Sequence, residues 1–316
     1  MRKRSYYLSV IIFLFTLLLC NGQSIETPGT RLVILGTCQD AGSPHIDCSK
    51  NCCINLSIEE KEKRKVVSLG IIDDKSRKTY LFEATPDMTS QLASLSDMSG
   101  FKTNMLPDAI FLTHAHIGHY TGLMYLGKEA KNSKEIPVYT MPGMKTFLQD
   151  NGPWSQLVSD KNIALNKLLH NQETTISNDF KVIPFLVPHR DEYSETVGYK
   201  IIGPGKSVLF IPDIDKWGKW SRDIIEEIKK VDLAFIDATF YSASEIGYRD
   251  ISLIPHPFVI ETIEKFKDQS LSLRNKIYFI HLNHTNPLLN KTSKEYMEVI
   301  QNGFNVAEIY SVFSLD

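Results

Sequence analysis

FLTHAHIGHYTGL, residues 111–123, is the stretch from which the rest of the chain is read. The run leading into it, DAIFLT at 108–113, is apolar enough for a buried strand. It ends on His114, His116 and His119, so that three of the nine histidines fall within six residues. A strand that stops in a cluster of imidazoles places nitrogen ligands at the edge of a sheet, where a metal ion sits. His114 and His116 share a side while the chain is extended, because side chains repeat every second residue. His119 follows as the chain turns at Gly118 toward a helix expected over 122–131. Three unrelated surface histidines are the bland reading, and the scarcity of histidine elsewhere argues against it.

Of 316 residues, 42% are hydrophobic and 23% charged, an ordinary globular composition with enough apolar material for one large core or two modest ones. A net charge of −2 offers no electrostatic footprint for nucleic acid, so the expected partner is a small-molecule substrate. The first residues have a different purpose. Arg2, Lys3 and Arg4 precede an apolar run, LSVIIFLFTLLL at 8–19, which is short for a membrane span and is followed by Cys20, Asn21, Gly22 and Gln23. This reads as a signal peptide over 1–22, cleaved after Gly22, and predicts an exported protein, periplasmic or secreted. Lipid attachment at Cys20 is the alternative, although Leu19 matches it poorly; an uncleaved anchor is a third. Nothing later resembles a membrane-spanning helix, and 23–316 is read as one domain.

In chain order, strands are expected at 31–36, 66–72, 78–83, 108–113, 138–140, 182–187, 196–202, 207–211, 233–236, 276–280 and 306–311. Helices are expected at 88–95, 122–131, 144–149, 221–230, 258–266 and 295–302. Several strands stop at a group that ligates or titrates: Glu83, His114, Asp213, Asp237 and His281. KTYLFEATPDM (78–88) echoes VDLAFIDATFY (231–241), each a buried strand ending in an acid, Ala and Thr, which points weakly to two similar halves.

The string THAHIGHYTGL resembles the H-x-H-x-D-H motif of the metallo-β-lactamase superfamily, and its longer form is similar to the branch related to pyrroloquinoline quinone (PQQ) biosynthesis protein B. The resemblance covers nearly the whole mature chain and is strongest at GTCQDAGSPH, EATPDM, THAHIGHYTGL and FIHLNHTNPLL. It implies an α/β fold, a four-layer αββα sandwich, and a metal-dependent hydrolase. Carried over residue by residue, it implies a first metal on His114, His116, His189 and Asp213. The second takes His119, Asp213 and His281, with His284 an alternative to His281. Gly118 stands where most of the superfamily has an aspartate for the second metal, so the second site is expected to be weakened, and a water-orienting group is lost with it.

Zinc at such a site lowers the pKa of bound water to about 7, giving a hydroxide that attacks an ester, lactone or phosphodiester. Iron or manganese suits the same donors. Asp213 and His119 are the expected catalytic groups, and Glu83 an acceptor supporting the histidine loop. Asp87, Tyr120, Tyr241 and His256 are further candidates for the pocket. In the loop over 37–53, the resemblance implies a structural zinc on Cys48, Cys52, Cys53 and His45, with Cys38 or His284 as other fourth ligands. Disulfides are the alternative that export would favour, and free thiols the third. Two further functions stand beside hydrolysis: an oxygenase of the same fold using iron, and a metal- or ligand-binding protein without catalysis, to which Gly118 points. β-Lactam hydrolysis is the least favoured enzymatic reading.

Overall fold

The computed structural model describes residues 29–246 and 254–316. The expected signal peptide, Cys20 and the Gly22–Gln23 cleavage point lie outside them. Fourteen strands among the described residues are β1 (Thr30–Gly36), β2 (Ser68–Asp73), β3 (Lys78–Phe82), β4 (Ala109–Phe111), β5 (Ile136–Thr140), β6 (Ile163–Lys167), β7 (Thr174–Ser177), β8 (Phe180–Leu186), β9 (Val197–Ile202), β10 (Ser207–Ile211), β11 (Leu233–Asp237), β12 (Ile277–Ile280), β13 (Asn305–Val306) and β14 (Val312–Ser314). They form two seven-stranded sheets, β14-β1-β2-β3-β4-β5-β6 and β13-β12-β11-β10-β9-β8-β7.

The central strands are buried on both faces, and their alternation sorts side chains into separate layers. In β1, Leu32 and Ile34 enter the core between the sheets, while Val33 and Leu35 face the helices outside. In β10, Val208 and Phe210 point inward and Leu209 and Ile211 outward. Helices Met88–Ser99, Pro142–Asp150 and Trp154–Ser159 cover the first sheet; Ile224–Lys229, Val259–Phe266 and Lys294–Gln301 cover the second. The result is the four-layer αββα sandwich expected from the sequence.

An aromatic stack locks the inner layer. Phe111 lies 4.8 Å from Phe82 and 4.9 Å from Tyr139, ring centre to ring centre. Phe111→Ala is expected to cost about 3–5 kcal/mol, the range for emptying a buried aromatic site, read as a lower denaturation midpoint at unchanged slope.

Both halves run antiparallel and then parallel: β1, β2 and β3 alternate before β3 to β6 align, and β8, β9 and β10 alternate before β10 to β13 align. By this topology β3 corresponds to β10. The sequence echo instead pairs β3 with β11, one strand out of step, and so does not trace the repeat.

Two expectations about elements are corrected, and some elements were not foreseen. The strand expected over 306–311 does not form: β13 beside β12 ends at Val306, residues 307–311 cross between layers, and β14 beside β1 begins at Val312. The helix expected over 122–131 is an α-turn, Ile117–Tyr120, followed by a 3₁₀ stretch, Thr121–Leu126. Gly122 causes this tightness: its N–H donates to Ala84 O at 2.9 Å, and a Cβ there would meet Thr85 O at 2.1 Å. The polar strands β6 and β7 at the sheet edges, and helix Trp154–Ser159, carry too little apolar periodicity to be seen in sequence. Among the described residues, no helix is long and apolar enough to cross a membrane.

Candidate metal centre

Every ligand candidate sits beyond the end of a strand at one rim of the two sheets. The histidine loop is fixed before any ion is considered. The Tyr199 hydroxyl, from the opposite sheet, donates to Leu112 O at 2.5 Å; Val197 N donates to Thr113 O at 3.2 Å, and Ala115 N to Ser194 Oγ at 2.9 Å. Ala84 N donates to His119 O at 2.9 Å, joining the β3 end to the loop.

The first group is His114, His116, His189 and Asp213. His114 Nε2 lies 2.9 Å from His116 Nδ1, which lies 3.3 Å from His189 Nε2. Asp213 Oδ2 is 3.4 Å from His114 Nε2, 3.2 Å from His189 Nε2 and 4.0 Å from His116 Nδ1. A tetrahedral ion with metal–nitrogen bonds of about 2.0–2.1 Å spaces its donor atoms about 3.3–3.4 Å apart. Three imidazole nitrogens and a carboxylate oxygen converging at this spacing offer a cation four donor atoms.

The second group is Asp40, His119, Asp213 and His281. Asp40 Oδ1 is 2.8 Å from His119 Nε2 and 3.3 Å from His281 Nε2, and Asp213 Oδ2 is 3.9 Å from His119 Nε2. Asp213 is thus common to both groups. Asp40 was not among the residues singled out from sequence. It corrects the expectation that this group has no second carboxylate: Gly118 lacks a side chain, and a Cβ there would lie 2.4 Å from Asp40 Cα and 2.6 Å from Asp40 Oδ1.

Behind four of the five rings stands a second polar group of the kind that orients ligating histidines; His189 Nδ1 has no such partner. Thr113 Oγ1 lies 2.9 Å from His114 Nδ1, and Glu192 Oε2 lies 3.0 Å from His116 Nε2. Glu192 is another residue that sequence reasoning missed. Glu83, fully buried, stands 3.3 Å from His119 Nδ1 without the alignment of a hydrogen bond. Thr239 Oγ1 is 2.8 Å from His281 Nδ1 and donates to Asp237 Oδ1 at 2.7 Å. Glu83 and His281 hold φ angles of +72° and +65° at their strand ends, strain of the kind that accompanies functional positions.

A third cluster joins Asp213, Asp237, His256 and His281. Asp237 is already saturated: its oxygens accept from Ile214 N at 3.1 Å, Thr239 N at 2.8 Å, Thr239 Oγ1 at 2.7 Å and His256 Nδ1 at 2.8 Å. It organises the site rather than ligating. His256 Nδ1 also lies 3.2 Å from Asp213 Oδ1.

The groups differ in protonation. Burial, aided by the charge of His119, pushes His114 well below its ordinary range, and burial lowers His116 as well. Burial opposes the charging of His119, but Asp40 and Glu83 overcome it and raise the ring well above its usual value. His281 is raised to about 9 by Asp213, Asp237 and Asp40 against the same burial. Asp40 itself, although burial favours its neutral form, is held well below the carboxylate range by His119 and His281. Imidazoles bind metal only when neutral. At pH 7 His114 and His116 are held in the neutral form that binds metal, whereas the second group must release protons. Second-group affinity is therefore expected to rise with pH, about tenfold per unit for each proton released, at least to about pH 9, where His281 loses its proton, and more steeply than first-group affinity. Calorimetric titrations in buffers of different ionisation enthalpy count the protons directly.

The cysteine loop forms a separate group, Cys48, Cys52, Cys53 and His284. No bridge joins the cysteines; Cys48 and Cys52 Sγ are 4.0 Å apart and Cys52 and Cys53 Sγ 3.9 Å. Zinc–sulfur bonds of about 2.3 Å imply a tetrahedral S···S spacing of about 3.8 Å, so the disposition fits a shared ion and not the expected disulfide alternative. Adjacent cysteines meet there because the short helix Asn51–Ile54 carries them. His284 lies here rather than with His281, and His45 stacks on it, ring centres 4.5 Å apart, instead of joining the donor set. Cys38 is fully buried beside Val66 and Leu282, away from the group. A cavity of about 740 Å³ opens beside Cys52, His284, Arg64 and Tyr310, and none of the histidine-group ligands lines it. Of the remaining candidates, Asp87 caps Val66 N at 2.8 Å, Tyr241 hydrogen-bonds Glu298 at 2.9 Å, and Tyr120 stacks on Trp154 in the outer core.

Comparison with known proteins agrees with this architecture. Residues 78–282 match the family model described as Beta-lactamase superfamily domain. Coenzyme PQQ synthesis protein B of Methylorubrum populi is 23% identical over 88% of this chain and 97% of its own length. The structure of Zn(2+)-bound PqqB from Methylobacterium extorquens superimposes with a TM-score of 0.74 at 21% identity, covering 90% of this chain and all of that one (100%). A diphosphatase from the PhnP family gives a TM-score of 0.61 at 21% identity, covering 90% of this chain and 96% of that one. The family match over more than half the chain, with the two-sheet fold and the histidine loop at its rim, establishes that the protein belongs to the metallo-β-lactamase superfamily, in the branch that resembles PQQ synthesis protein B.

Proposed function

We propose that the protein is a metal-dependent hydrolase of a small-molecule phosphodiester, with lactones and carboxylic esters as the neighbouring substrate classes. The observation that carries the reading is Asp213, one buried carboxylate shared by two groups whose donor atoms lie within 4.8 Å of one another. Divalent cations bound there, zinc foremost, supply Lewis acidity and lower the pKa of coordinated water to about 7. His114, His116 and His189 would hold the first ion; His119 and His281 would hold the second; Asp213 serves both.

His256 is placed to serve the leaving group of any of these three substrate classes. Burial opposes its charge, but Asp237 and Asp213 raise it to about 10. Asp237 holds Nδ1 at 2.8 Å, which leaves Nε2 free to hold a proton for a departing alkoxide. The preference for a phosphodiester rests on the likeness to a PhnP-family diphosphatase, which supports attack at a phosphoryl centre; the likeness to PQQ synthesis protein B supports the metal fold without naming a bond to be cleaved.

The test is hydrolysis of bis(p-nitrophenyl) phosphate, beside ester and lactone probes, by protein loaded with zinc, manganese or iron(II). Metal-dependent phosphodiester turnover is expected, falling at least about 100-fold, or about 2.7 kcal/mol of transition-state stabilisation, in His116→Ala. No turnover of any probe by fully loaded protein would overturn the hydrolase reading.

A further inference from the structure

We propose that Asp40, on the loop after β1, is the carboxylate ligand of the second metal group, brought from a different segment of the chain to replace the aspartate that position 118 lacks. The proposal rests on the two-group reading above and concerns which residue completes the second group.

Three observations carry it. The first is steric. Gly118 has no room for a Cβ, because Asp40 Cα and Oδ1 would lie 2.4 and 2.6 Å from it. A side chain at 118 and the carboxylate of Asp40 are therefore mutually exclusive in the same space; the motif position is small because the charge enters from the other side.

The second is the hydrogen bonding of His281. Thr239 spends its only hydroxyl proton on Asp237 Oδ1 at 2.7 Å, so it accepts from His281 Nδ1 at 2.8 Å. The neutral ring then carries its hydrogen on Nδ1 and presents a bare Nε2 lone pair to Asp40 Oδ1 at 3.3 Å. A lone pair facing a carboxylate oxygen at that distance is repulsive unless a proton or a metal ion lies between them, and a metal ion takes the place of the proton when it binds. His119 Nε2 meets the same oxygen at 2.8 Å, so a single position satisfies both rings.

The third is rigidity. Gln39 N donates to Leu282 O at 2.9 Å and Leu282 N to Thr37 O at 2.8 Å. Cys38 N donates to Lys65 O at 2.9 Å and Val67 N to Cys38 O at 2.8 Å. The segment before Asp40 is thus joined by backbone bonds to the residue after His281, which fixes two ligands of one ion relative to each other, as a preformed site requires.

The test is cobalt(II) titration of the full chain, wild type against Asp40→Asn and Asp40→Ala, each checked for folding by circular dichroism. Cobalt on cysteines shows sulfur-to-metal charge transfer, which separates it from cobalt on the histidine groups. Two ions sharing Asp213 couple magnetically, and loss of one restores the signal of an isolated ion. The expected result is two cobalt ions in the histidine groups of the wild type and one in the Asp40 variants. First-ion affinity stays unchanged, and the second weakens by about 100-fold or more, at or beyond the upper end of the effect of losing an outer partner. Asp40 variants that bind both ions as the wild type does would overturn the proposal, leaving Asp40 a hydrogen-bond acceptor only. A wild type that binds one ion, unchanged in the variants, overturns it too while the hydrolase reading stands. A wild type that binds none overturns both.

Discussion

Asp213→Ala is expected to empty both histidine groups and to lower phosphodiester turnover at least about 1,000-fold, about 4 kcal/mol of transition-state stabilisation. One side chain has this reach because it faces five rings. Its Oδ2 lies within 4.0 Å of ring nitrogens of His114, His116, His119 and His189, and its Oδ1 is 3.2 Å from His256. It is almost wholly buried, so no water molecule substitutes cheaply for its charge. Burial favours the neutral acid, yet His189, His256 and His281 hold it well below the usual carboxylate range. A depressed carboxylate stabilises the fold above its unfolded pKa of about 3.9 and loses that contribution as pH falls through the folded value. In metal-free protein the substitution is therefore expected to destabilise by about 3–5 kcal/mol at pH 7. Elemental analysis, thermal melts with and without zinc, and turnover check the three consequences. Asp213→Asn keeps the shape and removes the charge; if it retained two ions, the shared-carboxylate reading would fail. His116→Ala is the contrast, losing the first ion while the second group keeps all its donors.

Much of this centre was legible in the sequence because its ligands lie at strand ends, and strands announce themselves by composition. His114, His116, His189, Asp213 and His281 each follow an apolar run that the structure places in a sheet. Asp40 follows such a run too, after β1 and a few turn residues. Its loop, however, carries Cys38, Cys48, Cys52 and Cys53, and these direct attention to a structural zinc or a disulfide. Gly118 then reads as a ligand lost rather than one exchanged, because linear sequence does not show that Asp40 and His119, 79 positions apart, are neighbours. His281 and His284 were indistinguishable for a related reason. Which way a histidine points beyond a strand depends on the backbone at its end, and the φ of +65° at His281 turns the chain so that His284 leaves toward the cysteines. Edge strands β6 and β7 escaped because edges do not need the apolar alternation that reveals buried strands. The division of the C-terminal stretch between two sheets depends on a crossing between layers that no local pattern encodes.

Gly118→Asp restores the superfamily's motif aspartate, and its expected result is loss of function. From sequence alone the substitution would repair a weakened second site. In the structure, the new Cβ would fall 2.4 Å from the backbone Cα of Asp40, a clash relieved only by moving the loop after β1. That loop is bonded at Gln39 and Thr37 to Leu282, so moving it also shifts His281. The two carboxylates would compete for one buried space, adding like-charge repulsion to overpacking. A stability loss of about 1–3 kcal/mol is expected from overpacking alone, together with loss of the second ion and at least about a 100-fold fall in turnover, read by melting, cobalt titration and kinetics. Gly118→Ala carries the clash without the charge and is expected to lose the second ion as well, which assigns the effect to space. Asp40→Gly with Gly118→Asp removes one carboxylate, yet the clash with the backbone at position 40 remains; recovery of the second ion in the double variant would require the loop to have moved. If Gly118→Asp alone bound its second ion more tightly than the wild type, Asp40 would have to leave the group freely, and the exchange of one carboxylate for another would be the wrong account of this site.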